Sequence, residues 1–153
     1  MKAFLSHNSK DKYFASEISF KLIEQGIDVW LDKWEIFAGE SLTDKISKGI
    51  KEVNVFIIIM TPNSMNSNWV KEELRMALNK RVQSPDFKII PILYEPCAVH
   101  EFLKDYVYID WMDKNIDGFS ELIKSIKKIS LKPHFDPEYP SVQIQFERVD
   151  YLI

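Results

Sequence analysis

Apolar residues along this chain follow two spacings that alternate with each other. Short, nearly continuous apolar runs fall at residues 3–6, 27–31, 53–60, 88–93 and 107–110. Runs of this length are typical of strands covered on both faces in a parallel sheet. Between the runs, apolar residues recur every three or four positions, which indicates amphipathic helices. Helices are predicted over residues 11–25, from 41 onward, over 67–80 and over 118–129.

Residues at the helix ends support these boundaries. Gly26 suits the left-handed position after the first helix. Ser41, with Asp44 three residues later, resembles a capping box in which Asp replaces the usual Glu or Gln. Ser67 can cap the third helix. The second helix is expected to bury three apolar residues, Leu42, Ile46 and Ile50.

Strands and helices therefore alternate, mostly with short links. This order predicts an α/β fold: a flavodoxin-like, five-stranded parallel sheet in the order 2-1-3-4-5, with helices on both faces. In such sheets ligands bind beyond the carboxyl ends of the strands. Three segments should lie there, at residues 6–11, 32–41 and 61–69.

The composition changes after residue 130, which predicts a domain over 1–130 and a tail over 131–153. Residues 132–140 contain three prolines and are predicted to be an extended linker. Residues 141–148 alternate apolar and polar side chains, as in a half-buried strand with no partner strand of its own. We expect this strand to pair with the sheet edge, a second copy or a further domain, the alternative being a disordered tail.

Composition and charge exclude several classes of function. The net charge of −3 over 153 residues argues against nucleic acid as a partner. Cys97 is the single cysteine, so neither an internal disulfide nor a cysteine-based metal site is expected. No membrane-spanning run or signal peptide is evident, and a cytoplasmic location is expected. The three histidines lack metal-ligand spacing, and no phosphate loop or nucleophile elbow is present.

The third predicted helix carries adjacent carboxylates that point in different directions. An apolar stripe is formed by Val70, Leu74 and Ala77. Glu72 lies about 180° from the centre of this stripe and should face water. Glu73 lies about 80° from it, on the same edge as Trp69, one turn earlier. Glu73 and Trp69 should meet at the border between core and cleft, where Glu73 is either an ordinary boundary residue or a functional one.

Three sequence motifs occur in order along the chain. They are FLSH at residues 4–7, VWLD at 29–32 followed by GESL at 39–42, and SNWVKEEL at 67–74. Together they resemble a TIR (Toll/interleukin-1 receptor) domain, most closely the bacterial ones, over about residues 1–130. Pro91 within the fourth predicted strand also fits that family.

The resemblance implies an enzyme that cleaves NAD⁺ between nicotinamide and ribose, with NAD⁺ as substrate and no further cofactor. The catalytic Glu of the family lies four residues after the helix Trp, a position that Glu73 occupies here. Residues that would line the substrate cleft are Leu5, Ser6, His7, Trp34, Phe37 and Trp69. Trp34 and Phe37 either stack on a base of the substrate or pack their loop on the domain.

The resemblance also implies self-association, through the first helix and the 32–41 loop. On that helix, Tyr13, Phe20 and Ile23 lie away from the core face. Bacterial members commonly serve antiviral defence, by exhausting NAD⁺ or making a signalling nucleotide. Two alternatives stay open: a non-catalytic adaptor that only assembles with other TIR domains, and an enzyme similar to nucleoside deoxyribosyltransferases.

Overall fold

The computed structural model describes residues 1–31 and 37–127, together with two short strands at 133–135 and 144–146. The strands are β1 (Lys2–Ser6), β2 (Asp28–Trp30), β3 (Val55–Met60), β4 (Lys88–Leu93), β5 (Ile109–Asp110), β6 (Pro133–Phe135) and β7 (Ile144–Phe146). The helices are α1 (Lys12–Glu24), α2 (Leu42–Glu52), α3 (Pro62–Met65), α4 (Asn68–Gln83) and α5 (Gly118–Lys127). Two 3₁₀ turns, Ser9–Asp11 and Glu101–Leu103, precede α1 and β5.

The main sheet has five parallel strands in the order β2-β1-β3-β4-β5, which confirms the predicted fold class. Ser6, the last residue of β1, is in register with Ile58 of β3. The chain therefore leaves β1 and β3 side by side at the carboxyl edge of the sheet. This neighbourhood brings together segments that are more than 50 residues apart in sequence.

Both faces of the sheet are covered, which explains why β3 is apolar throughout. Val55, Ile57 and Ile59 pack with α1 and α5, in one core cluster. The alternate residues Phe56, Ile58 and Met60 pack with α2 and α4, in the other. Each side chain of a strand points to the face opposite its neighbour's, so a central strand covered on both faces has no polar position.

The predicted helix boundaries and caps are confirmed in most particulars. Gly26 has a φ of +75° directly after α1. The side chains of Ser41 and Ser67 accept hydrogen bonds from Asp44 N and Val70 N, each at 3.3 Å. The prediction for Leu42 is wrong, since 46% of this residue is exposed. Leu42 lies in the first turn of α2, at the end beside the loop, whereas Ile46 and Ile50 lie over the sheet.

The helix α3 was not among the helices predicted from the sequence. Thr61 and Ser64 form a reciprocal capping box, and Pro62 occupies the first position of the helix. Proline suits that position because its fixed φ is helical and its missing N–H would have no partner in the helix. The helix α3 links β3 to α4 and so helps to fix where α4 begins.

The tail strand has a partner, contrary to the prediction. The strand β7 pairs antiparallel with β6, in a two-stranded sheet separate from the main one. The three prolines predicted an extended linker, and extended backbone is also the conformation of a strand. The other residues of the 131–153 tail lie outside the described part, so the domain boundary stays a prediction. Among the described helices, none has both the length and the apolar character needed to cross a membrane.

The side chain of Lys80, in α4, caps the carboxyl end of α2. Its Nζ donates to the backbone oxygens of Ile50 and Lys51, each at 2.8 Å, and to that of Val53. The ammonium also lies 4.6 Å from the ring centroid of Phe87. Cations stabilise helix carboxyl ends, where several carbonyls lack partners within the helix. Burial lowers the pKa of Lys80 below its usual range.

We expect Lys80→Met to lower the free energy of unfolding by about 2 kcal/mol, because a charged donor to three carbonyls is lost. Lys48→Met is the matched control: Lys48 is an exposed lysine of α2, 3.9 Å from Glu52. It should change the free energy of unfolding by less than about 0.5 kcal/mol. Urea unfolding measures both, and equal effects would contradict a capping role for Lys80.

Candidate functional site

The site is built where β1 and β3 end and α4 begins. Of the three segments expected at this edge, 6–11 and 61–69 are described in full. They follow β1 and β3, which are neighbouring strands. The third segment, 32–41, is described only from Phe37 onward. The helix α4 packs against β1, β4 and α2, so its inward face points toward the end of β1.

Glu73 lies on that inward face and is only 1% exposed. The hydroxyl of Ser6, at the end of β1, donates a hydrogen bond to its Oε2. The sequence placed Glu73 at the border of the core, and the structure places it deeper. A carboxylate is costly to bury unless hydrogen bonds compensate the lost hydration. Its burial makes Glu73 a candidate functional residue.

The adjacent Glu72 provides the contrast that the helix geometry predicted. Its carboxylate pairs with Arg75, one turn further along α4, at 2.5 and 3.0 Å. This hydrogen-bonded ion pair lowers the pKa of Glu72. Glu72 therefore lies on the outer face of α4 and takes no part in the buried site. The different orientations predicted for Glu72 and Glu73 are confirmed.

Trp69 lies one turn before Glu73 and is half-buried, as predicted for a border residue. Its side chain packs against the core cluster that α2 and α4 share. Trp69 therefore joins the apolar core to the edge of the sheet where the candidate site opens.

The end of β1 contributes three residues in different ways. Ser6 faces Glu73, whereas the side chain of Leu5 packs in the opposite core with α1 and α5. Leu5 can therefore reach the site only through its backbone. His7 is buried, and its Nδ1 lies 3.2 Å from the carbonyl oxygen of Leu5. This contact holds the imidazole against its own strand, an arrangement that suits a wall of the cleft.

The described part of the 32–41 loop presents Phe37 to solvent. Phe37 is 71% exposed, so it does not pack into the domain. Its backbone N–H donates to Glu40 Oε2 at 2.9 Å, and Lys45 pairs with the same carboxylate at 2.9 Å. The bond from Phe37 and the pairing with Lys45 lower the pKa of Glu40. Trp34, the other aromatic residue predicted here, lies outside the described residues.

Sequence reasoning missed a second polar contact near the site. Thr61 Oγ1 donates to Asp11 Oδ2 at 2.7 Å, and both residues are buried. No local pattern in the sequence links Asp11 to a residue 50 positions away. Within the described ranges, no group of three or more His, Cys, Asp or Glu side chains is arranged to hold a metal ion.

Comparisons with known proteins identify similar sequences along most of the chain. A family model described as "TIR domain" matches residues 3–123. The chain is 30% identical over 129 residues to "NAD(+) hydrolase TirS" of Staphylococcus aureus, covering 80% of this chain and 46% of that protein. It is 31% identical over 130 residues to "2' cyclic ADP-D-ribose synthase BtTIR" of Bacteroides thetaiotaomicron, covering 80% and 45%. The chain thus spans less than half the length of these curated relatives.

Solved structures share the architecture. The TIR domain of the Toll-related receptor TRR-2 from Hydra magnipapillata superposes with a TM-score of 0.73 at 26% identity, covering 82% of this chain and 97% of that one. A prokaryotic SEFIR domain superposes with a TM-score of 0.61 at 19% identity, covering 82% and 96%. The second likeness shows the fold alone.

Proposed function

The chain belongs to the TIR domain family, and from that premise we propose that it cleaves the bond between nicotinamide and ribose in NAD⁺. The observation that carries the proposal is the buried carboxylate of Glu73, which accepts a hydrogen bond from Ser6 and lies one turn after Trp69. Two relatives named for NAD⁺ hydrolysis and for cyclic ADP-ribose synthesis support the same chemistry. Because the chain spans less than half of each, the activity of the whole protein is part of the proposal.

A single carboxylate suffices for this reaction. The nicotinamide nitrogen of NAD⁺ already carries the positive charge, so the electron pair of the breaking C1′–N bond neutralises it. The base then leaves without protonation, whereas ordinary glycosidases need a second carboxyl to protonate their leaving group. Positive charge develops on the ribose instead. A carboxylate that binds the ribose hydroxyls stabilises this oxocarbenium-like ring.

The environment of Glu73 suits that role. Ser6 holds one carboxylate oxygen, which limits the rotation of the side chain. Burial strengthens the attraction between the carboxylate and a nearby cation, because water screens it less. We assign His7 to the wall of the nicotinamide side and Phe37 to contacts with the substrate or a neighbouring molecule. Water, or a hydroxyl of the same nucleotide, then forms a bond to C1′ and loses its proton to solvent, giving ADP-ribose or a cyclic isomer.

We expect Ser6→Ala to lower kcat about tenfold, equivalent to about 1.4 kcal/mol of transition-state stabilisation. The substitution removes the donor that orients the Glu73 carboxylate but keeps its charge. Ser19→Ala is the matched control, since Ser19 is an equally buried hydroxyl that donates to Ala15 O at 2.7 Å within α1. Rates of nicotinamide release measured for both variants check the prediction, and equal losses would contradict it.

Self-association belongs to the proposed mechanism. Tyr13, Phe20 and Ile23 form an exposed apolar row along α1, and Phe37 is exposed on the loop before α2. Exposed apolar rows commonly mark contact surfaces. We propose that copies of the chain meet through α1 and that the 32–41 loop of a neighbour completes the cleft.

We also propose a cytoplasmic role in antiviral defence, by depletion of NAD⁺ or by release of a signalling nucleotide.

The alternatives differ in what they require of Glu73. An adaptor would use the same exposed surfaces but has no need for a costly buried carboxylate. An enzyme similar to nucleoside deoxyribosyltransferases would act on deoxynucleosides instead of NAD⁺. Concentrated protein should therefore be incubated in parallel with NAD⁺ and with deoxynucleosides, with products identified by mass spectrometry. We expect nicotinamide from NAD⁺ and unchanged deoxynucleosides; free nucleobase alone would overturn the proposal.

A further inference from the structure

Two hydrogen bonds join the segments that carry the candidate site. The first links Ser6 to Glu73. The second links Thr61 Oγ1 to Asp11 Oδ2 at 2.7 Å, and Asp11 is 7% exposed. The segment 6–11 leaves β1, and the segment 61–73 leaves β3 and enters α4. The two bonds close these segments into a ring, with Glu73 held at one junction.

The Asp11 side chain does not make the hydrogen bond that is usual for its position in the chain. It occupies the N-cap position of α1, where Asp usually accepts a hydrogen bond from the first turn of its own helix. Here the Asp11 side chain makes no such bond. Instead it accepts a hydrogen bond from Thr61, the residue that follows β3. A stabilising local contact has been replaced by one that joins two separate elements.

Thr61 links Asp11 to the segment that leads into α4, the helix that carries Glu73. Its hydroxyl donates to Asp11 and accepts from Ser64 N at 3.1 Å. Ser64 Oγ in turn donates to the carbonyl oxygen of Ile59 in β3 at 2.6 Å. Thr61 and Ser64 cap α3, which leads directly into α4. The polar chain from Asp11 thus ends on the elements that set the position of α4.

We propose that Asp11 and Thr61 are positioning residues for the reaction: their bond fixes the 6–11 segment against α3 and α4, so that Ser6 keeps its place beside Glu73. This inference rests on the proposed function, because it names residues that act on the same site. Neither residue acts on the substrate. Their loss should therefore lower kcat and leave KM nearly unchanged.

The sharpest variant is Asp11→Ser. Serine is a preferred N-cap residue and so suits this position of the chain, but its shorter side chain does not reach Thr61. We expect a folded protein whose kcat falls by about 10- to 100-fold, the size of effect that a misplacement of about 1 Å causes. KM for NAD⁺ should change by less than about threefold, since the substitution removes no group that contacts the substrate. Thr61→Val should behave alike, although it also removes the α3 cap.

Conservative variants test whether the hydrogen bond itself matters. Asp11→Asn keeps an oxygen that accepts from Thr61, and Thr61→Ser keeps the hydroxyl, so both should retain kcat within about threefold. Ser19→Ala, which removes a buried hydroxyl inside α1, controls for a general loss of stability. Thermal unfolding of every variant is recorded alongside the rates.

Hydrogen exchange without NAD⁺ supplies a readout that does not depend on activity. In Asp11→Ser, amides of residues 7–11 should exchange about tenfold faster than in Ser19→Ala, while the core of α1 stays protected. If the wild-type protein released no nicotinamide, the proposed function would fail, and exchange alone would decide the positioning role. Unchanged exchange, or a kcat loss that merely follows the unfolding temperature, would overturn the inference. If Thr61→Val does not fold, the exchange and kcat of Asp11→Ser alone test the positioning role.

Discussion

Replacing Glu73 by Gln should reduce nicotinamide release from NAD⁺ by about 10²- to 10³-fold, the usual cost of removing one electrostatic element from an active site. The amide keeps the shape of the side chain and can still accept from Ser6, but it no longer carries the charge that faces the ribose cation. The fold should survive. A neutral amide is less costly to bury than a carboxylate, so the unfolding temperature should stay the same or rise.

Glu72→Gln is the matched control for this substitution. It makes the same chemical change at the next position of the same helix, on a carboxylate paired with Arg75. Exposed ion pairs contribute little, so the rate should stay within about twofold of wild type. Rates are measured at one protein concentration, with circular dichroism spectra of both variants. Equal losses in the two variants would contradict the assignment of Glu73 to the inward face.

The second large effect concerns activation by self-association. Nicotinamide release per molecule should rise with protein concentration over a hundredfold range. Phe20→Asp should lower the activity at the highest concentration by about tenfold or more, because a charge would be desolvated at the contact between copies. Phe20 is 61% exposed on α1, so the substitution should leave the domain folded.

Val82→Asp provides the matched control for Phe20→Asp. Val82 is 83% exposed on α4, on a different helix from the proposed contact. The same change from an exposed apolar side chain to a carboxylate should there leave both activity and association intact. Light scattering at each concentration reports the assembly state. Constant specific activity over the range, with Phe20→Asp fully active, would rule out this mechanism.

The sheet could be predicted from local patterns because a strand buried on both faces is a continuous apolar run. The residues of β3 alternate between two cores, so the whole strand is apolar and easily identified. The different directions of Glu72 and Glu73 also followed from the sequence, since helix geometry fixes the angle between adjacent residues. Their depth did not follow. How far Glu73 is buried depends on how closely α4 packs on β1, which no spacing within α4 encodes.

The features that were missed depend on partners distant in sequence. The contact between Asp11 and Thr61 spans 50 residues, so no local pattern could predict it. The pairing of β6 with β7 was missed because prolines dominated the interpretation of residues 132–140. The exposure of Leu42 has a different origin: it occupies the apolar stripe but lies in the first turn of α2, whereas Ile46 and Ile50 pack in the core.

We propose that this domain breaks the nicotinamide–ribose bond of NAD⁺ with Glu73. The most direct measurement is the time course of free nicotinamide when concentrated wild-type protein is mixed with an excess of NAD⁺. We predict many equivalents of nicotinamide per protein molecule, matched by ADP-ribose or a cyclic isomer, and almost none from Glu73→Gln. Intact NAD⁺ after prolonged incubation with folded, self-associated wild-type protein would contradict the account.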